Sequence, residues 1–334
     1  MTSITPIAGL ISLSVSFVAA RLLIISMNSR GIGQYIRSWG PKVHEHKSGT
    51  PTMGGLAMLA GLGSALIYLW LSFPGGRSNL ILFAVGTFGF GTIGILDDVL
   101  SLVKGKAEGL SPGGKIIAQL AVAVVFLVLV FRLLDQPNQL SLPFTSTVVT
   151  IAPVYYWILV VFIFLSTVNA VNLTDGMDGL AAGASFISIS AFALIGGGGI
   201  IPFITGALAA IIGFLWYNSF PAEIFMGDTG SFALGGFIGS AAVLARGEVF
   251  LPLLGGLFVF ETLSVLIQVG YYKTTGNRVF KISPLHHHFE SAEGVDYDFF
   301  LPEVAWSEPK VTARLLISHL VLAGIGLAGF FIWG

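Results

Sequence analysis

The chain has 334 residues, of which 54% are apolar and 10% charged, and its mean hydropathy is +0.88. A soluble domain carries roughly a quarter charged residues, so an ordinary water-soluble globule is excluded and a polytopic membrane protein is indicated. A net charge of −1 makes nucleic acid an unexpected partner, and the lack of cysteine excludes disulfides, thiolate metal sites and a cysteine nucleophile.

A helix needs about 20 apolar residues to cross a bilayer. In chain order the stretches of that kind are 6–28, 54–73, 79–96, 116–134, 153–170, 179–197, 199–217, 230–245, 249–272 and 312–333, which predicts an all-α protein with ten transmembrane helices in a single domain, 1–334. The first stretch has no positively charged leader segment and is read as a retained helix rather than a signal peptide. The segment 135–152 contains a β-prone run, Thr145 to Ile151, that predicts a small hairpin. Gly235 and Gly239 have the GxxxG spacing of closely packed membrane helices, a pattern that permits a homodimer without demonstrating one.

Most of the 16 Lys and Arg residues fall in odd-numbered loops, among them Lys47, Lys104, Lys115, Lys273, Arg278, Lys281 and Lys310, whereas even loops hold Arg77, Arg132 and Arg246. The positive-inside rule therefore puts odd loops in the cytoplasm and both termini in the periplasm. Asp97, Asp98, Asp175, Asp178 and Asp228 follow the basic residues to the same face. Carboxylates at the ends of apolar helices are tolerated at a wet site, which points to a cytoplasmic active-site cleft.

The residues that carry chemistry lie in five segments. His44 to Gly55 is basic, then rich in glycine and threonine; it suits either an anion held by backbone donors or a plain turn. Asp97 and Asp98 end the third span, and hard oxygen ligands of this kind suit Mg²⁺ bridging substrate phosphates. Neighbours on a helix point about 100° apart, so one aspartate is expected to serve the metal region and the other a second role. In Asn169 to Gly179 the pair Asp175 and Asp178 shares a face if the sixth helix starts there, with Thr174 or Asp175 as its cap. In Phe225 to Ser231, Asp228 suits a cation, and Phe225 suits either base stacking or an interfacial aromatic belt. Pro284 to Glu290 carries His286, His287 and His288 at a spacing wrong for zinc, leaving phosphate contact or proton transfer. Gly109 to Lys115 reads GxxxxGK, but Ile116 stands where a Walker loop needs Ser or Thr, so this segment is set aside as a phosphate loop. Metal-binding and anion-binding loops at a membrane face fit phosphoryl transfer between a soluble donor and a lipid phosphate.

Taken together, GTPTMGG at 49–55, the aspartate pair at 97–98, NAVNLTDGMDGL at 169–180, FMGDTGS at 225–231 and PLHHHFE at 284–290 resemble the phospho-N-acetylmuramoyl-pentapeptide transferase family over nearly the whole chain. The resemblance implies transfer of the phosphosugar-pentapeptide from UDP-N-acetylmuramoyl-pentapeptide to undecaprenyl phosphate in a bacterial inner membrane, giving lipid I and UMP, with Mg²⁺ as cofactor. It implies that Asp228 is the metal ligand and that Asp97, Asp98, Asp228 and His287 are catalytic. Lys47, Thr52, Lys115, Asn172, Asp175, Asn218 and Gln268 would surround the phosphates and cleft, Gly176, Met177, Asp178 and Phe225 would hold the uridine, and His286 and His288 would complete the rim with His287. The family's basic or polar position three residues after the second aspartate is Ser101 here, which passes any cation role to Lys104 or Lys106. The stretch 291–307 is longer than the resemblance predicts, and its acidic aromatics suit packing on the bilayer surface. The mechanism expected is direct attack by the lipid phosphate, with Mg²⁺ and Lys47 offsetting charge and Asp98 orienting that phosphate or taking its last proton; the competing route is an aspartyl-phosphate. Two other readings are a sibling transferase using UDP-N-acetylglucosamine and an ion-coupled transporter in which Glu261 and the aspartates relay cations.

Overall fold

The computed structural model describes residues 3–31, 33, 49–105, 109–135, 137–290 and 297–332. Each apolar stretch becomes a helix: α1 (Ile4–Ser29), α2 (Gly55–Ser72), α3 (Arg77–Lys104), α4 (Pro112–Leu133), α5 (Pro153–Thr174), α6 (Leu180–Gly196), α7 (Ile201–Asn218) and α8 (Gly227–Leu244). The ninth stretch divides at Gly255 into a single turn, α9 (Leu251–Leu254), and α10 (Gly256–Thr275); α11 (Leu285–His288) and α12 (Glu308–Phe331) complete the chain. The expected hairpin is present as β1 (Gln139–Ser141) paired antiparallel with β2 (Val148–Thr150).

Seven of the described helices, α1 to α5, α7 and α12, are long and apolar enough to cross a membrane. α6 is apolar but has 17 residues. α8 is diluted by five glycines and Asp228, and α10 carries Glu261, Gln268 and Lys273. The polarity of α8 is sheltered: it is buried from Thr229 to Val243 and packs against α2, α3, α5 and α6.

Lipid is as apolar as a leucine side chain, so close packing and interhelical hydrogen bonds hold such a bundle together. Ser12 and Ser16 of α1 donate to the carbonyls of Gly206 and Ala210 on α7 at 2.7 and 2.8 Å. Gly235 and Gly239 face Val168 and Phe164 of α5, so that GxxxG pair is used inside the chain. At Gly94 a methyl group would overlap the Asp228 carbonyl; its absence lets α3 and the start of α8 meet backbone to backbone, one turn before Asp97.

One end of the bundle carries the hairpin, which Arg246 grips through Gln139 Oε1 at 2.9 Å. There Glu248 is buried, accepts from the Tyr156 hydroxyl at 2.8 Å, and has a second oxygen, Oε2, with no partner among the described residues. Burial pushes its carboxyl up from 4.5 to about 7. The protonated form is thus favoured in the folded state, so the stabilising contribution is complete below pH 4.5 and is lost as pH rises through about 7. Glu248→Gln is expected to leave the thermal unfolding midpoint unchanged near pH ~5 and to raise it above pH ~8.

Candidate active site

The opposite end brings the segments singled out in the sequence into contact. α3 runs on to Lys104, where Gly105 ends it in the left-handed conformation, so Asp97 and Asp98 sit within the helix rather than at its end. The two carboxylates diverge. Asp98 Oδ1 accepts from the backbone N–H of Asp228 at 3.0 Å, and its Oδ2 accepts from the N–H and hydroxyl of Thr229 at 2.9 and 2.6 Å. Those are the first N–H groups of α8, which lack intrahelical acceptors, and the residue at the N-cap, Met226, gives no side-chain bond. Asp98 therefore caps α8 from another helix.

Asp97 is buried, and its Oδ1 accepts from the N–H of Leu110 at 2.7 Å. Its Oδ2 lies 3.0 Å from Nζ of Lys115, and the same ammonium donates to Asp228 Oδ2 at 2.7 Å. Asn172, on the last turn of α5, donates to Asp228 Oδ1 at 2.8 Å and to Ser231 Oγ at 3.0 Å. Lys115 stands in the first turn of α4, where the helix dipole disfavours a cation, and two carboxylates offset that penalty. The segment set aside as a false Walker loop thus supplies the central cation: its start wraps Asp97 and its lysine joins Asp97 to Asp228. Lys104, expected to take a cation role, donates instead to the Gly109 carbonyl at 2.5 Å and holds that wrap in place. Lys106 and Lys47 lie outside the described residues.

The donor set fits a hard divalent cation. Two carboxylates from different helices converge on one positively charged point, Nζ of Lys115, and one or two carboxylates are what Mg²⁺ takes alongside waters and substrate phosphates. Among the described residues no group of three or more potential metal ligands is gathered, so such an ion would complete its shell from water and substrate.

Around this centre the other segments interlock. Phe225 N–H donates to the Pro51 carbonyl, and Gly54 and Gly55 donate to the Phe225 and Met226 carbonyls, at 2.8 to 2.9 Å, which places buried Thr52 beside half-buried Phe225. The turn at 175–179 differs from expectation. α6 begins at Leu180, after Gly179 in the left-handed conformation, and Thr174 turns its hydroxyl back to the Ala170 carbonyl of α5, so neither Thr174 nor Asp175 caps α6. Asp175 and Asp178 therefore do not share a helical face. Asp178 accepts from the Ala222 N–H at 2.9 Å, its own N–H donates to Glu308 Oε1 at 2.8 Å, and buried Met177 lies beside it. Asn218 accepts from the Gly179 N–H at 3.1 Å and donates to the Ile224 carbonyl at 2.9 Å. Gln268 uses both ends of its amide on the backbone of Val279 and Phe280. Asn218 and Gln268 thus brace loops in this structure.

The three histidines have three environments. His287 Nδ1 meets Glu290 Oε2 at 2.7 Å. His288 is buried, accepts from the Lys281 N–H, and burial first and Lys281 second push its pKa down, which disfavours a charged phosphate contact. Lys281 is itself fully buried, held by the Glu290 carbonyl, with burial lowering its pKa. His286 is fully buried between α10 and Gly176. The described part of the long stretch folds back onto this segment rather than lying apart from it: Tyr297 donates to the Lys281 carbonyl, and Trp306 stacks on Phe289 at 5.2 Å with Arg314 above it at 4.1 Å. Phe300, 79% exposed, is the aromatic that still suits a bilayer surface. Sequence reasoning missed Thr229, Ser231, Glu290 and Glu308 as partners; only the i, i+3 spacing of His287 and Glu290 gave a local signal.

The capping arrangement carries a prediction. Asp98→Asn sets an amide N–H₂ against the N–H donors of α8, so a loss of about 1 kcal/mol of stability and a drop in turnover are expected together. Thermal unfolding and activity measured on the same preparation check it; lost activity with unchanged stability would favour a purely chemical role.

Residues 80–246 match glycosyl transferase family 4, and residues 47–59 match the phospho-N-acetylmuramoyl-pentapeptide-transferase signature 1. The chain is 40% identical to the phospho-N-acetylmuramoyl-pentapeptide-transferase of Desulforamulus reducens, with 98% of this chain and 97% of that one covered. It is 39% identical to that of Staphylococcus aureus (96% and 97% covered) and 38% identical to that of Bacillus subtilis (94% of each). The family match and the seven membrane-competent helices together define a multi-pass membrane transferase of glycosyl transferase family 4. Within that class, the chain belongs to the phospho-N-acetylmuramoyl-pentapeptide-transferase family.

Proposed function

We propose that this protein transfers phospho-N-acetylmuramoyl-pentapeptide from its UDP carrier to undecaprenyl phosphate, forming lipid I and UMP with Mg²⁺, at the cytoplasmic face of a bacterial inner membrane. The observation that carries this reading is the convergence of Asp97 and Asp228 on Lys115, with Asn172 orienting Asp228. In it, ten helices cross the bilayer, with α9 and α10 as one interrupted span and both termini periplasmic. The loop distribution of Lys and Arg supports that orientation.

Asp228, aided by Asp97, would hold Mg²⁺, which when bound supplies charge neutralisation at the diphosphate. An oxygen of the lipid phosphate attacks the β-phosphorus of the donor; the bond to the bridging oxygen breaks and that oxygen leaves with UMP. Lys115 offsets charge on the phosphoryl oxygens as the bond order shifts. A phosphate monoester is already substantially ionised near neutral pH, so no strong base is needed, and Asp98 serves by fixing the N-terminus of α8 beneath Asp228. Every carboxylate oxygen of Asp97, Asp98 and Asp228 already has a protein partner, which favours direct attack over an aspartyl-phosphate. Thr52, Asp175, Gly176, Met177, Asp178 and Phe225 would line the donor pocket, with His287 at its rim.

The test is UMP release by purified protein given donor, undecaprenyl phosphate and Mg²⁺, with UDP-N-acetylglucosamine as the competing donor. Release that needs lipid and metal supports the reading. Release with the competing donor alone would reassign the substrate, and a phosphosugar trapped on the protein without lipid would replace direct attack by the covalent route.

A further inference from the structure

Glu261 and His286 form a fully buried pair that the reaction scheme above leaves unused. Glu261 Oε2 accepts from the backbone N–H of His286 at 3.2 Å and lies 3.1 Å from its Nδ1, off the line of a good hydrogen bond. Glu261 Oε1 and both ring nitrogens of His286 have no hydrogen-bond partner among the described residues. Buried polar atoms left without partners are rare in native structures, and they mark places where something else completes the bonding. Nε2 of His286 abuts Gly176, where a methyl group would overlap it. Gly176 lies four residues after Asn172, the partner of Asp228, so the imidazole packs on the turn that leads out of the Asp228 centre.

The two faces of α10 differ. One exposes Phe260, Leu263, Leu266 and Ile267, a surface for lipid, while Glu261 and His286 lie on the face turned to the protein interior and the 175–178 turn. A carboxylate that engages one ring nitrogen sets the orientation and proton placement of the other. We propose that Glu261 is a positioning residue for the donor half of the reaction: it seats His286 against Gly176, so that the ring backs the 175–178 turn from behind and fixes the backbone that the bound sugar nucleotide meets. This rests on the proposed placement of the donor beside that turn.

The test uses full-length protein in detergent and measures kcat together with KM for UDP-N-acetylmuramoyl-pentapeptide and for undecaprenyl phosphate. Glu261→Gln and His286→Asn are each expected to raise the donor KM about tenfold, with kcat and the lipid KM within about threefold of wild type. The double variant is expected to match the worse single variant, since one acts through the other. If Glu261→Gln does not fold, Glu261→Asp, which keeps the charge but shortens the reach to His286 by one methylene, takes its place in the same cycle with His286→Asn. An unchanged donor KM, an equal rise in both KM values, or additive losses would overturn the inference while leaving the transferase reading intact. No UMP from the wild-type protein would overturn that reading and this inference with it.

Discussion

Asp228→Asn is expected to reduce UMP release by on the order of 10³-fold, with the unfolding midpoint moved by no more than about 5 °C. The side chains are nearly the same size, so packing at the start of α8 survives. What changes is the charge and the donor pattern. Asp228 accepts from Lys115 on one oxygen and from Asn172 on the other. An amide in its place puts an N–H₂ group against one of those two donors, and it removes the negative charge that a cation at this point requires. Steady-state kinetics across a Mg²⁺ titration check the prediction. Activity within about tenfold of wild type at saturating Mg²⁺ would remove Asp228 from the metal role.

Lys115→Met is the second large effect. The side chains of Lys115, Asp97 and Asp228 are 25%, 7% and 21% exposed, so this is a partly screened cluster rather than a dry one. Losing the ammonium leaves two carboxylates facing a shared space, and like charges so placed repel. Breaking a fully buried pair costs about 3–5 kcal/mol; allowing for the exposure here, about 2 kcal/mol is expected. Turnover is expected to fall by about 10²-fold or more, because the fixed positive charge at the transfer centre is gone. Arginine is not expected to restore it, since a planar guanidinium does not place one compact charge between two carboxylates. Chemical denaturation and kcat on the same variants decide the matter: turnover preserved in Lys115→Met would mean that the lysine serves only to hold α4 against α3 and α8.

Much of the architecture was legible in hydropathy. Every apolar stretch predicted as a span contains a helix, and the hairpin lies where β-branched residues cluster. The errors fall where hydropathy and hydrogen bonding part company. α3 continues past its apolar residues to Lys104 because its backbone ladder persists until Gly105, and α5 likewise runs through the polar Asn169 to Thr174. The ninth stretch reads as one apolar run but breaks at Gly255 and Gly256, residues that give a helix no side chain to pack.

Composition and hydropathy by themselves indicated a membrane protein and which segments are helical, and loop charge predicted that aspartates, histidines and a lysine-rich set of loops gather at one face. Each of those properties is a local one, recorded in whether a short run of residues prefers lipid or water. Roles within the site were decided by tertiary structure. Asp97 and Asp98 are neighbours in sequence, yet one meets Lys115 and the other caps a helix 130 positions away. Lys115, which only the family resemblance placed at the cleft, enters the centre from a segment set aside as a phosphate loop, and three consecutive histidines divide among Glu261, Glu290 and Lys281. A hydrogen bond depends on where two backbones are brought in space, and here the close approach of α3 to α8 at Gly94, set by the packing of whole helices, determines which carboxylate reaches which partner.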